Sequence, residues 1–499
     1  MDQVIDFYLN DLLKYGTSIS IASFPVEGLY PNFRKFEVKG YPRMYSAIIL
    51  AAGLGRKAWP YGEYRQKCTI PIANVPIVRR LAKSLIDIGV NQIIVVVGHH
   101  AQQVRGAVAD LPGIEFVTQP PDQGTAISAL SAAEKVINER FLIVYGDVVT
   151  PVENFRDLVK RFEESGAVAA AMLQSIGHED PSNWICGGID GDLLSGTEGH
   201  PRGGAYRLCG VYALRSNMTR YLLRNPGIAA RVPVGGMPPP EAEISSSFQV
   251  MIDDGQQVLA VETNQFFVDV DKPWHILEAN RLVIDYLMGK VEDHQIDSSA
   301  SISDAAEIQG KIVLGKNSVI GPRVVVKNGL IAGANNNITN GAILGGHVLV
   351  GDHCRISDYC DIGNSIVGNH CVIGHGAEMS GVMFDKVYLY HYCEMSGVFG
   401  TATDIGAATV CGTLRFDDRD TAHQINGRYE VPTVGANATY IGDYCRTGVN
   451  AMIMPGTKIG SYSVVGPGVI LNEDVPSKTM IMVKQELVKK TWGPERYGW

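Results

Sequence analysis

The chain has 499 residues, 45% of them hydrophobic and 19% charged, which is more than one hydrophobic core serves, so two or more domains are expected. A formal net charge of −9 argues against a general nucleic-acid-binding surface but leaves room for a local basic pocket that grips phosphates. The start, Met1 to Asp6, has neither a basic segment nor a long apolar run, and nowhere do about 18 apolar residues run together. No signal peptide and no membrane span are therefore expected, and the cytoplasm is the expected compartment.

Residues 1–45 read as an N-terminal extension. Val4, Leu9, Leu12 and Leu13 share one face of a short helix, and Pro25 and Pro31 interrupt the pattern, so a packing or oligomer-contact arm is expected there. From Ala47 the pattern changes. Ala47-Ile48-Ile49-Leu50-Ala51-Ala52 reads as a buried strand that ends on the glycine turn Gly53-Leu54-Gly55. A helix over Ile77–Ile88, a strand over Ile93–Gly98, a helix over Thr125–Ile137, a strand over Phe141–Asp147 and a helix over Trp274–Tyr286 follow. Strands alternating with helices predict an α/β domain over residues 46–290, with a mostly parallel, Rossmann-like sheet and ligands at the carboxyl ends of its strands.

Residues 291–499 carry a different period. Ile302, Ile308, Leu314, Ile320 and Val326 recur every six residues, as do Ile338, Leu344, Val350, Ile356 and Ile362, then Val367 and Ile373, and late in the chain Ile441, Thr447, Ile453, Ile459 and Val465. Hexapeptides predict a parallel β-helix, in which three hexads make one triangular coil and the aliphatic residues stack inward. The chain's nine cysteines form no CxxC pair. Cys354, Cys360, Cys371 and Cys445 each fall four residues after a hexad aliphatic, which predicts core packing rather than metal or redox chemistry.

The chemistry concentrates in the first of these domains. Phosphoryl chemistry on a nucleoside triphosphate needs backbone N–H donors, cationic side chains and a divalent metal, because negative charge crowds the transition state. The glycine turn supplies donors, Lys57 and Lys67 supply charge, and Asp147 at a strand end offers an oxygen ligand to Mg²⁺. Gly-x-Gly alone also occurs in ordinary turns and in dinucleotide-binding folds, and the third glycine of that fingerprint is missing here.

The combination resembles the sugar-1-phosphate nucleotidyltransferases. Leu50-Ala51-Ala52-Gly53-Leu54-Gly55 resembles their opening signature, and Lys57 and Lys67 fall where the family has an arginine and, ten residues on, a lysine. Gln119 followed by Gly124-Thr125 resembles the base-recognition loop, Tyr145-Gly146-Asp147 the first metal motif, and Phe267-Val268-Asp269-Val270-Asp271 the second. The resemblance implies an NTP held by Leu50, Ala51, Ala52, Gly53, Gly55, Gln119, Gly124 and Thr125. It implies catalytic charge on Lys57 and Lys67, and Mg²⁺ on Asp147 with Asp269 or Asp271, Asp269 being preferred. Departures are Arg56 for threonine, Lys57 for arginine and Gln66 for proline. Leu208-Cys209-Gly210 replaces the sugar-binding Asn-Thr-Gly and keeps only Gly210. Glu198 falls near the family's sugar-binding glutamate, an exposed loop acid being the other reading.

The fusion to hexapeptides resembles the bifunctional N-acetylglucosamine-1-phosphate uridylyltransferase/glucosamine-1-phosphate acetyltransferase, which implies a left-handed β-helix, a homotrimer through it, and UTP as the favoured nucleotide. Acetyl transfer from acetyl-CoA to an amino-sugar phosphate would use His391 as the general base. Its position is one residue off the family's spacing, and Ser380 replaces the phosphate-gripping lysine, while Arg415, Arg428 and Arg446 remain as phosphate ligands. A β-helix that only trimerises the chain and a non-catalytic regulatory relative stand as alternatives. NTP and sugar 1-phosphate are the expected partners, with neither nucleic acid nor membrane.

Overall fold

The computed structural model describes residues 45–120, 123–177, 179–229, 231–233 and 240–493. The arm expected from Val4, Leu9, Leu12 and Leu13 lies outside them. The apolar run beginning at Tyr45 forms strand β1 (Tyr45–Ala51), fully enclosed at Ala47, Ile48 and Ile49. It pairs in parallel with β2 (Val90–Val97) on one side, which in turn pairs with β3 (Ile114–Thr118), and with β4 (Arg140–Tyr145) on the other. Between them run helices α1 (Ile77–Asp87) and α2 (Thr125–Ala133). The second helix stops short of Ile137. Gln92 captures the chain there: its amide donates to the Lys135 carbonyl at 2.9 Å and accepts from the Ile137 N–H at 3.2 Å, bonds that compete with another helical turn.

Five further strands complete a nine-stranded sheet. The parallel character is confined to the first four strands and to the pairing of 169–175 with 258–262; strand β5 (Tyr206–Arg215) runs antiparallel between β4 and residues 169–175. The short strand β6 (Val268–Asp269) pairs with Val148–Val149 and so brings the late acidic segment beside Asp147. Helix α3 (Pro273–Gly289) follows directly.

From Gln295 the chain winds as a parallel β-helix. Leu314, Ala332, Val350, Val367, Met383 and Phe399 stack in register through successive coils, and Ile441 and Ile459 continue the column. The hexad aliphatics from Leu314 onward are enclosed, as are all nine cysteines, none of them in a disulfide. Cys354, Cys360, Cys371 and Cys445 each donate a thiol to a carbonyl of the next coil, at 2.9, 3.1, 3.1 and 3.1 Å, and so serve as inward packing. Past Ile373 the strict hexad lapses but coiling continues: Glu378–Met383 lies residue for residue on Glu394–Phe399, a repeated Glu-Met-Ser-Gly-Val. Between Cys411 and Thr439 the chain leaves the coil in an excursion that holds a hairpin, His423–Ile425 against Arg428–Glu430.

The two halves share one core. Tyr61, Ile284 and Leu287 of the first pack in the same cluster as Val313, Ile331, Leu349, Ile366, Val382, Val398 and Tyr440 of the second. Tyr61 sets its ring edge-on to Phe384 at 5.6 Å and donates its hydroxyl to the Val398 carbonyl at 2.7 Å. Arg65 reaches Asp443 at 3.1 Å, and the Asn74 amide reaches the Val367 carbonyl at 2.8 Å. Among the described residues no helix is long and apolar enough to cross a membrane.

Candidate active site

Strand β1 delivers Leu50, Ala51 and Ala52 to the edge of the sheet, where Gly53 has open space above its Cα and Gly55 turns back at φ 65°. A short 3-10 turn carries Arg56 and Lys57, and another begins at Lys67. Gln66, which replaces a proline of the family, ties these pieces together. Its enclosed side-chain amide donates to the carbonyls of Ala51 at 3.0 Å and Gly53 at 3.1 Å, and its oxygen accepts from the Cys68 N–H at the start of the second turn. Its backbone N–H donates to Gln103 at 2.7 Å, a bond proline lacks.

The charged groups converge as expected. Lys67 forms an ion pair with Asp147 and another with Asp271 at 3.1 Å, and Lys57 reaches Asp271 at 3.1 Å. Burial disfavours the Lys67 charge, but Asp147, Asp271 and Asp269 outweigh it and hold the ammonium protonated far above the usual lysine range. Asp271 itself resists the pull of burial because the two lysines draw its carboxyl well below the ordinary carboxylate range. Asp269 is placed differently. Burial, then the neighbouring Asp147 carboxylate, push it up to about 7, and its Oδ1 is enclosed without a hydrogen-bond partner. An orphaned carboxyl oxygen beside a second carboxylate is an arrangement that a divalent cation would satisfy. Among the described residues no three His, Cys, Asp or Glu side chains form a closed metal cage. Mg²⁺ does not need one, since it takes one or two carboxylates and fills its remaining positions with phosphate and water. Asp147 and Asp269 fit that requirement: of the two lysines Lys67 alone holds Asp147, whereas both hold Asp271.

Gln119, Gly124 and Thr125, expected to recognise the base, follow the end of strand β3. Gln119 donates its backbone N–H to Val97 at 2.9 Å, and its side-chain Oε1 is buried without a partner. Gly124 sits at φ 83° with the Ala242 backbone so close that a Cβ would come within 2.5 Å of its nitrogen, which makes this glycine obligatory. Thr125 donates to Glu243 at 2.8 Å, and Tyr145 reaches the same carboxylate at 3.2 Å. Burial raises the Glu243 carboxyl above its usual range. Glu243 is missing from the sequence reading; nothing in its surroundings, Glu241-Ala242-Glu243-Ile244, signals a partnership with a residue 118 positions away.

Gly210 has φ 63° and lies against the Tyr145 ring, which a Cβ would meet at 2.5 Å, so the glycine is needed for packing whatever else it does. Glu198 is exposed on residues 193–199 and stands in register with Cys186, which in turn is in register with Arg207. Arg207, not foreseen from the sequence, stacks its guanidinium on Trp184 at 4.2 Å and is almost fully enclosed. His275, also unforeseen, accepts the Asp271 N–H at 3.2 Å; burial, then the Lys272 and Arg207 charges, lower it to about 3 and keep it neutral. A signal existed for Lys272 and His275, since they lie one and four residues after Asp271, whereas Arg207 becomes notable only once strand β5 brings its guanidinium to the Phe267 carbonyl at 3.3 Å.

The second expected site is arranged otherwise. His391 is exposed on a corner of the β-helix, stacked on His375 at 5.2 Å, with its carbonyl accepting the Ala408 N–H at 3.0 Å. Arg415 is paired with Asp417 at 2.8 Å and Arg446 with Asp404 at 3.5 Å. A cavity of about 410 Å³ does open on the β-helix, between helix α3, Ser380, Ser396 and the excursion segment Thr433–Ala438, but His391 is not among its lining residues and no other histidine is.

With this geometry in hand, the likeness to known proteins is direct. Residues 47–219 match the family model of MobA-like NTP transferase domains, and residues 438–473 match the bacterial transferase hexapeptide model. The chain is 26% identical over 448 residues to the bifunctional protein GlmU of Methanococcus maripaludis, covering 89% of this chain and 98% of that one. It is 26% identical over 433 residues to the bifunctional sugar-1-phosphate nucleotidylyltransferase/acetyltransferase of Sulfurisphaera tokodaii, covering 86% and 98%. It is 23% identical over 490 residues to the GlmU of Synechococcus elongatus, covering 90% and 98%. A MobA-like NTP transferase domain followed by C-terminal hexapeptide repeats is thus the build of this chain, and it is shared with these relatives over most of its length.

Proposed function

We propose that this enzyme transfers a nucleotidyl group from an NTP to a sugar 1-phosphate and releases pyrophosphate. The observation that carries the reading is the meeting of Lys57 and Lys67 with Asp147, Asp269 and Asp271 at the mouth of the glycine turn. Backbone N–H groups of the turn from Ala52 to Gly55 face the triphosphate, and the space above Gly53 lets it approach. Lys67, kept protonated by Asp147 and Asp271, and Lys57, kept protonated by Asp271, transfer their attraction to the phosphates when the triphosphate arrives, so charge is ready where it builds up in the transition state. Mg²⁺ on Asp147 and Asp269 would supply further positive charge to the phosphates. The orphaned Oε1 of Gln119 would accept an N–H from the base, and the domain fusion favours UTP as the nucleotide. The acceptor sugar phosphate lies toward Glu198 and Gly210, with Arg207 and Lys272 adding positive charge to that wall.

Names of relatives carry a second activity, acetyl transfer, which would fall to the β-helix with acetyl-CoA as donor and His391 as base. The scaffold reading gives the β-helix only the task of joining three chains as a homotrimer in the cytoplasm, and the regulatory reading would leave both halves without catalysis. One screen separates them: each of the four NTPs and dTTP against a panel of sugar 1-phosphates, reading pyrophosphate, with and without acetyl-CoA and an amino-sugar phosphate. Pyrophosphate release with at least one pair, UTP among the best donors, is expected. Silence across the panel would leave the regulatory reading standing.

A further inference from the structure

The excursion of the β-helix does more than cover its own coils. Its hairpin strand Arg428–Glu430 reaches the charged end of the first domain, where the Glu430 carboxylate forms an ion pair with Lys272. Both side chains are largely enclosed, 8% and 18% exposed. Lys272 is the residue immediately after Asp271 and the last extended residue before helix α3. Where its ammonium is held therefore bears on the segment that carries Asp269 and Asp271. The rings of Trp184 at 6.0 Å and Trp274 at 5.7 Å also lie beside it and attract a cation but do not replace a carboxylate, and its charge is felt by Asp271 and His275.

The hairpin is itself anchored. His423, directly opposite Glu430, bonds the Ala436 carbonyl at 2.8 Å and packs its ring on Trp274 at 5.1 Å. Lys458 of the β-helix body lies 3.2 Å from the other ring nitrogen and is tied to Asp474 at 2.9 Å. A continuous chain of contacts thus runs from the coils through the hairpin to the acidic segment.

We propose that Glu430 is a positioning residue for nucleotidyl transfer: by holding Lys272 it sets the placement of Asp269 and Asp271, so the β-helix half completes the active site of the first half. The proposal rests on the nucleotidyl-transfer reading above. Removing the carboxylate leaves a buried lysine free to turn toward Asp269 or Asp271 and compete with Lys57 and Lys67.

The test uses the full chain and the best NTP and sugar 1-phosphate pair. Pyrophosphate release is measured for Glu430→Gln, Glu430→Asp, Glu430→Met, Lys272→Met and the Lys272→Met/Glu430→Met double variant, with Lys67→Ala as a control. Magnesium–NTP affinity by calorimetry and the thermal midpoint are read for each. Glu430→Gln should lower kcat at least tenfold with NTP affinity within about twofold, and Glu430→Asp should recover most of that loss. The double variant should lose no more than the worse single one, as a coupled pair does. A Glu430→Gln kcat within twofold of the parent overturns the proposal, as does multiplication of the two single losses. A loss that merely follows the thermal midpoint, unrelieved by Glu430→Asp, also overturns it, since that marks a fold contact only. Full activity in Lys67→Ala would instead sink the nucleotidyl-transfer reading, and the proposal with it.

Discussion

The mouth of the glycine turn and the β-helix corner at His391 are both rich in ionisable side chains, yet they are built on opposite terms. At the mouth, three carboxylates and Lys67 are largely enclosed with the half-exposed Lys57 beside them, Asp269 keeps an oxygen without a partner, and Gln119 keeps another. At the corner, His391 stands in solvent, stacked on a like residue from the coil below, and its backbone bonds continue a ladder that any residue can join. The mouth holds groups whose needs the protein does not meet, which is costly unless a ligand meets them. The corner holds groups already content. A repeat selects for stacking, and stacking alone places histidines beside histidines.

That contrast can be broken or sharpened by substitution, the largest effect coming first. Lys67→Ala should lower the rate of pyrophosphate release by roughly 10²–10³-fold, the scale for losing one electrostatic stabiliser of a transition state. Near-normal turnover would erase the distinction between mouth and corner. Next, Gln66→Ala should cost about 1–3 kcal/mol of stability, because the carbonyls of Ala51 and Gly53 and the Cys68 N–H lose their buried partner. A denaturant melt reads this, and the KM for NTP should rise with it; an unchanged melt would mean that the loop holds itself. The smallest effect belongs to His391→Ala, expected to shift stability by less than about 0.5 kcal/mol and to leave nucleotidyl transfer untouched. Should it abolish acetyl-CoA consumption in the presence of an amino-sugar phosphate, the corner is an active site after all and the comparison fails.

Much of this was legible before any coordinates. The run at Ala47–Ala52, the spacing of Lys57 and Lys67, and Asp147 and Asp269 are local signals whose partners sit at strand ends, where an α/β sheet gathers them by topology. The hexads are legible for the same reason, each coil repeating the one before. What escaped was non-local. Glu243 reaches Thr125 across more than a hundred residues, and Arg207 gains meaning only through an antiparallel strand that the sequence pattern does not mark. The end of the helix at Ala133 was set by a side chain, Gln92, from an earlier strand. The shared core between halves escaped too, because each half's pattern reads as self-sufficient.

That shared core bears on how the gene can change. In a solenoid, adding or deleting one coil is ordinarily a mild event, since each coil touches only its neighbours. Here the first domain is seated on several coils at once: Asn74 on Val367, Tyr61 on Val398, Arg65 on Asp443 and Pro60 on Ser461. One coil inserted between Val367 and Asp443 would part those footholds by about 4.8 Å, more than a hydrogen bond can stretch. Coil number in that stretch is therefore frozen.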